Sequence, residues 1–398
     1  MTGATPTPYL GQSLSQRVGE FISLRRDIHA HPELAFEEHR TAALVAGKLR
    51  DWGYEVTRGL GGTGVVGRLR RGSGHKCLGL RADMDALPIT EKTGHEWTSR
   101  NAGVMHACGH DGHTAILLAA ARTIAEEVDF DGTLNLIFQP AEEGGGGALR
   151  MMDDGLFEQF PCDAVFALHN MPGVEAGHVH LRTGPAMASS DYVTVTLRGV
   201  GGHGAMPHTA SDTVVAAAAI VMALQTIVSR NVDPLQAAVV TVGALHAGKA
   251  NNVIPDEATL ELSVRALDSQ VRQLLKERIH DLVRLQADSF KVQARVDWRQ
   301  GYAVLVNTPS ETRFAAQVAL ELFGPNRVET DAAPLTGSED FAFMLEKVPG
   351  SYILLGNGRV GTPGACMVHN PGYDFNDEII EPGVRLWARI VSEYLKGY

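Results

Sequence analysis

Apolar residues recur at helical spacing through residues 14–30, where leucine, valine, phenylalanine and isoleucine fall on one stripe, and again through 38–52. Two amphipathic helices therefore open the chain. Short strands follow near 55–56 and 65–69, and the apolar run 76–81 reads as a buried strand. A helix over 114–127, a strand over 133–138 and a third strand over 163–168 continue a β-α-β alternation, the signature of an open α/β sheet. Near residue 188 the pattern changes. Residues 191–197 alternate as a half-buried strand, 212–229 form an alanine-rich helix, 238–245 and 258–267 are strands, 269–290 is a charged helix and 292–298 a last strand. That β-α-β-β-α-β order is the ferredoxin-like split unit. The chain then returns to α/β with a helix over 308–323, a short helix opened by 336–341, a strand over 351–355 and a closing helix over 378–395. The expected fold is an α/β/α domain with a mixed sheet, built from residues 1–187 and 302–398 and interrupted by a ferredoxin-like α+β domain over 188–301.

Composition narrows the class without changing that picture. A chain of 398 residues with 44% hydrophobic and 20% charged positions has room for two globular domains and a sizeable core. No stretch reaches membrane-spanning length, and the first ten residues have neither a basic start nor an apolar run, so a cytoplasmic protein is expected. Cys77, Cys108, Cys162 and Cys366 are too scattered for a disulfide framework. The formal net charge of −11, with no cluster of lysine or arginine beyond Arg68-Leu69-Arg70-Arg71, argues against a nucleic-acid partner.

Chemistry concentrates where the strands end. Met105-His106-Ala107-Cys108-Gly109-His110-Asp111-Gly112-His113 packs metal-capable side chains around two glycines just ahead of an apolar helix. Cys108 and His110 stand two apart, and on an extended segment that spacing points both to one side, as two ligands of one ion require. Asp83-Met84-Asp85 follows the first buried strand, Glu142-Glu143 and four glycines follow the second, and His169-Asn170 ends the third. His369-Asn370 repeats the pair past the last strand. Adjacent glutamates point in different directions, so one can hold a metal while its neighbour faces a bound water. Sites in open α/β sheets lie at this carboxyl edge. The run Gly62-Thr63-Gly64-Val65-Val66-Gly67 matches a dinucleotide-binding spacing, yet no helix can start within it, and a nucleotide site is rejected. His29 and His31 repeat the two-apart spacing, but Pro32 marks a helix end, where polar residues gather. In the inserted domain, loops at 199–208 and 251–255 carry His203, His208 and Asn252.

These motifs together resemble the M20 metallopeptidase family, and within it the aminoacylase or hippurate hydrolase group of N-acyl amino acid amidohydrolases. The resemblance covers nearly the whole chain. It rests on the run from Arg26 to Leu34, on Arg81 to Pro88, on Met105 to Asp111, on Pro140 to Gly144, on Leu168-His169-Asn170 and on Gly337 to Phe341. It implies a two-metal catalytic domain interrupted by a lid domain that also dimerises, giving a homodimer or higher homo-oligomer. Carried over by motif, Cys108, His110, Glu143, His169 and His369 become the metal ligands, Glu142 the general base and Asp85 an orienting carboxylate. His203 is implied to reach the substrate carbonyl, in its own or the partner subunit's site, and Asn252 and Arg265 to grip the substrate carboxylate. Asp83 stands where other branches of the family place a histidine, which leaves its role open.

Such a donor set suits zinc, with manganese, cobalt or nickel as alternatives. Five side chains are too many for one tetrahedral ion and suit two divalent ions sharing a bridging hydroxide. The expected reaction is hydrolysis of the amide of an N-acetyl, N-benzoyl or similar N-acyl amino acid, releasing a carboxylic acid and the amino acid. Glu142 would take the proton from water and return it to the leaving amine. An acyl-enzyme on Cys108 is the rival route, disfavoured because a thiolate held by cations is a poor nucleophile. A dipeptidase or carboxypeptidase of the same build is the alternative enzyme, and a non-catalytic metal-dependent binding protein the alternative class.

Overall fold

The structure is a computed structural model and describes residues 9–396. In chain order, the first elements are α1 (Tyr9–Ala30), α2 (His39–Asp51), β1 (Glu55–Leu60), β2 (Gly64–Arg71), β3 (Cys77–Asp83) and α3 (His110–Glu127). They are followed by β4 (Gly132–Gln139), α4 (Gly147–Asp153), β5 (Ala164–Pro172), β6 (Val179–His180), β7 (Asp191–Arg198), β8 (Gly202–His203) and α5 (Thr213–Arg230). Next come β9 (Ala238–Ala247), β10 (Val253–Ile254), β11 (Glu257–Ala266), α6 (Ser269–Ser289) and β12 (Gln293–Gln300). The chain closes with α7 (Pro309–Phe323), β13 (Val328–Glu329), β14 (Gly350–Gly358) and α8 (Ile380–Tyr394). These elements fall into two units, one of Met1–Gly184, Val306–Ala333 and Phe343–Tyr398, the other of Pro185–Leu305 and Pro334–Ala342.

The larger unit is organised by an eight-stranded mixed sheet of order β1-β2-β4-β3-β5-β14-β6-β13. Its centre is parallel: β3 pairs with β4 and β5, and β5 with β14, all in the same direction. Strands covered on both faces read as continuous apolar runs rather than alternating ones, which is why Leu78, Leu80, Leu134, Leu136, Val165, Phe166 and Ile353 are all buried. Helix α3 is buried nearly all round and packs against α1 and α8. The glycine run at 61–64 makes a β1–β2 hairpin, Leu60 pairing with Gly64, so no helix starts there.

In the smaller unit, β7, β9, β11 and β12 form an antiparallel sheet of order β9-β11-β7-β12, the strand order of the ferredoxin-like split unit. Period-two burial of Val193, Val195 and Leu197 on β7 and of Leu260, Leu262 and Val264 on β11 faces the apolar stripes of α5 and α6. Both helices begin at an aspartate whose side chain accepts two backbone N–H groups, Asp212 from Val214 and Val215 and Asp268 from Gln270 and Val271. Each such cap contributes about 1 kcal/mol. The segment 334–342, distant in sequence, packs here: the Ala188 amide donates to the Leu335 and Gly337 carbonyls. One expectation is corrected. Helix α5, 18 residues long with mean hydropathy 1.7 and a third of it buried, does reach membrane-crossing length and composition. Its alanines and valines raise the hydropathy while Ala216, Ala217, Ile220, Leu224 and Ile227 serve the core of its own unit.

Candidate metal centre

The turn that opens α3, the turn after β4, the strand β5 and a late loop of the larger unit bring the donors together. Cys108 Sγ lies 3.4 Å from His169 Nε2, and His369 Nε2 lies 3.2 Å from Glu143 Oε1. Cys108, His110 and His169 form one group whose ligand atoms are all within 4.8 Å of one another, and Cys108, Glu143 and His369 form a second. Glu142 joins His110 and Glu143 in a third. Two trios sharing one thiol fit a pair of cations better than one. The remaining hydrogen bonds point the same way. His169 Nδ1 is 2.6 Å from the Asn170 carbonyl and His110 Nδ1 is 2.9 Å from the Asp85 carbonyl, so in both rings Nδ1–H donates and Nε2 is the nitrogen left to meet a cation. His110 Nε2 is buried without a hydrogen-bond partner among the described residues, and a buried polar atom left so is costly unless a ligand takes it. The donor set therefore fits divalent ions.

Local structure differs from the extended Cys108–His110 segment expected. Gly109 adopts φ 87°, a left-handed conformation, and α3 begins at His110 rather than near 114. The two side chains converge through a turn at a helix start. A Cβ on Gly109 would fall 2.3 Å from Tyr373 Oη and 2.4 Å from Asn170 Nδ2, so the position admits only glycine. His169 likewise sits inside β5, paired with Leu354, rather than beyond the strand end. His369 is in irregular chain well past β14, at φ 64°, with its N–H donating to the Ala107 carbonyl.

Asp85 orients two of the candidate ligands at once: its Oδ1 is 3.2 Å from His110 Nδ1, and its Oδ2 accepts the Glu143 amide at 2.9 Å. Asp83 has a different setting. Its Oδ1 is 2.6 Å from His113 Nδ1 and its Oδ2 accepts from Arg81 at 2.6 Å. His113 Nε2 accepts the Asn170 amide, and the Asn170 side chain donates to the Cys108 carbonyl and accepts from the Tyr373 hydroxyl. Asp83 and His113 thus face each other and the frame of the site, although with His110 they make a further trio. Burial alone would raise the Asp83 carboxyl, but His110, Arg81 and His113 hold it well below the usual range. Burial lowers the His110 pKa, and the Asp83, Asp85 and Glu143 carboxylates outweigh it and lift it to about 10. The Cys108 thiol is pushed well above its ordinary value by burial and by Glu143 and Glu142. The site holds protons where a cation would displace them.

His29, His106 and His113 stay outside the expected ligand set. His29 Nδ1 is 2.8 Å from Asp111 Oδ2, and Arg25 joins the same carboxylate at 3.4 Å. Burial lowers the His29 pKa, but Asp111 and Glu91 more than reverse this and raise it to about 9. Because the folded pKa exceeds the unfolded one, this stabilisation is complete below about pH 6.5 and fades as pH rises through 9. Urea unfolding of wild type and His29→Gln should accordingly differ by on the order of 2 kcal/mol more at pH 6 than at pH 9.5. A pH-independent difference would contradict the assigned partnership. His203, Asn252 and Arg265 all belong to the smaller unit. There β8 and β10 pair antiparallel, His203 opposite Val253, and the Gly204 amide donates to the Asn252 carbonyl, so His203 and Asn252 are neighbours. Arg265, on β11, donates to the Ser338 hydroxyl at 3.0 Å. Sequence reasoning missed the roles of Asn170, His113 and Tyr373, and the only advance sign was their nearness in sequence to the candidate ligands.

An α/β sheet whose carboxyl edge gathers a thiol, imidazoles and adjacent glutamates is the build of a metal-dependent hydrolase. The chain belongs to Peptidase family M20/M25/M40, whose model matches residues 79–393. It is 46% identical to the hippurate hydrolase of Campylobacter jejuni, over 95% of this chain and 97% of that protein. To the N-acetyl-L-cysteine deacetylase of Bacillus subtilis it is 40% identical, over 92% of this chain and 86% of the relative. Among solved structures, the Bacillus subtilis YxeP protein, described as a dinuclear metal binding peptidase of the M20 family, superposes with a TM-score of 0.83. The two share 29% identity over 96% of this chain and 99% of that one.

Proposed function

We propose that the chain hydrolyses the amide bond of N-acyl amino acids, releasing a carboxylic acid and a free amino acid. The observation that carries this reading is the Glu142–Glu143 pair. Glu143 groups with Cys108 and His369, while its neighbour Glu142 lies within reach of His110 and outside both Cys108-centred groups. Cys108, His110, Glu143, His169 and His369 would hold two divalent ions, zinc being the best match to the donors and manganese, cobalt or nickel the alternatives. Bound cations polarise the substrate carbonyl and render a water acidic near neutral pH. Glu142 accepts the proton of the attacking water and delivers it to the departing amide nitrogen. Asp85 keeps His110 and the Glu143 backbone in register. From the smaller unit, which takes the part of a lid, His203 donates to the developing oxyanion and Asn252 and Arg265 bind the free carboxylate.

Homodimerisation through the smaller unit is part of this reading, supported by Val214, Val215 and Met222 standing exposed on α5, Met222 at 70%. A cytoplasmic setting is supported by four unpaired cysteines. The test is amino acid release from N-acetyl, N-benzoyl and dipeptide substrates by metal-stripped and metal-refilled enzyme. Metal-restored cleavage of N-acyl amino acids is expected. Cleavage of dipeptides alone would move the chain to the peptidase reading, and silence on all of them with metal bound would sink the proposal.

A further inference from the structure

Glu38 is fully buried at the start of α2, outside every group of candidate ligands, yet its carboxylate touches the turn that carries Glu142. Oε1 accepts two backbone amides, Phe36 at 3.0 Å and Ala141 at 2.9 Å, and Oε2 accepts the Thr63 hydroxyl. Both amides belong to residues in the left-handed region, Phe36 at φ 65° and Ala141 at φ 52°. Side chains with a Cβ enter that region at a cost, and such conformations persist only where the surroundings over-determine them. Ala141 directly precedes Glu142, so its φ and ψ set the direction in which Glu142 leaves the chain. The turn closes on itself behind the clamp. The Gly147 amide donates to the Ala141 carbonyl, and a Cβ on Gly147 would fall 1.7 Å from the Pro140 carbonyl oxygen.

We propose that Glu38 is a positioning residue: by accepting the Ala141 amide it holds the left-handed turn that aims Glu142 at the scissile amide. The inference rests on the reading of Glu142 as the base. What matters is hydrogen-bond acceptance, not charge or proton transfer, and the variants separate these. In Glu38→Gln the amide oxygen can still accept both backbone N–H groups while its NH2 donates to Thr63 Oγ1. In Glu38→Asp the carboxylate is one methylene shorter and no longer reaches the Ala141 amide.

The experiment measures kcat, KM and bound metal for both variants of the full chain. Glu38→Gln should keep at least half of wild-type kcat, whereas Glu38→Asp should lose at least tenfold in kcat with KM within twofold and metal content unchanged. Equal losses in the two variants, an unimpaired Glu38→Asp, or a loss confined to KM or metal content would overturn the proposal. If Glu38→Asp does not fold, Thr63→Val decides: kcat falls severalfold at constant KM and Thr63→Ser restores it, while wild-type kcat in Thr63→Val overturns the clamp. An active Glu142→Gln enzyme would remove the reading of Glu142 itself. Wild-type kcat in Glu38→Asp beside an inactive Glu142→Gln would remove only the clamp.

Discussion

Glu142→Gln enzyme is expected to bind its metal ions as the wild type does and to turn over ~10²–10⁴-fold more slowly, the range that a lost general acid–base group costs. The amide is isosteric with the carboxylate and keeps the side chain in the same buried turn, 6% exposed beside Glu143. It can hydrogen-bond to water but cannot accept its proton at neutral pH. Because the substrate-gripping groups assigned to the smaller unit are untouched, KM should change little. Metal analysis and steady-state kinetics on one preparation check this, and activity within tenfold of wild type would rule out the assignment.

Cys108→Ala should have the next largest effect. The thiol is common to both donor groups centred on it, and its removal would leave only His110 and His169 in one and Glu143 and His369 in the other. Binding of at least one ion should weaken more than 100-fold, since even partners that merely orient a ligand are worth 10–100-fold. A second signature follows from the raised thiol pKa. Without a cation the group is protonated at neutral pH, so metal loading must expel that proton. Calorimetric titration in buffers of differing ionisation enthalpy should show one fewer proton released by Cys108→Ala than by wild type. Unchanged affinity for both ions would exclude Cys108 from the ligand set.

The larger architecture was legible because burial leaves periodic marks. Mostly apolar runs within 76–81 and 133–138 announced strands covered on both faces, and alternation at 191–197 announced one covered on a single face. Ligand-type residues were legible for a related reason: carboxyl ends of central strands are where irregular, chemically rich segments must begin. Four features were not legible. The start of α3 at His110 depends on a left-handed Gly109 wedged against Tyr373 and Asn170, contacts made from far along the chain. The buried roles of Asp83 and His113 depend on each other, and neither residue type signals a partner thirty positions away. The hold of Glu38 on Ala141 spans 103 positions, and nothing local distinguishes Glu38 from the neighbouring Glu37. Short strands such as β6 and β13, two residues each, carry too few positions for any period to show.

His369, the donor farthest along the chain, reaches the others through a backbone bond to Ala107. During synthesis from the N-terminus, residues 108, 110, 142, 143 and 169 leave the ribosome long before residue 369. Until that late loop docks, the growing chain can present only a partial donor set. Under the proposed ligand set, docking of that loop would be the step that permits full metal loading, and a nascent fragment carrying Glu142 would stay inert toward the amides around it.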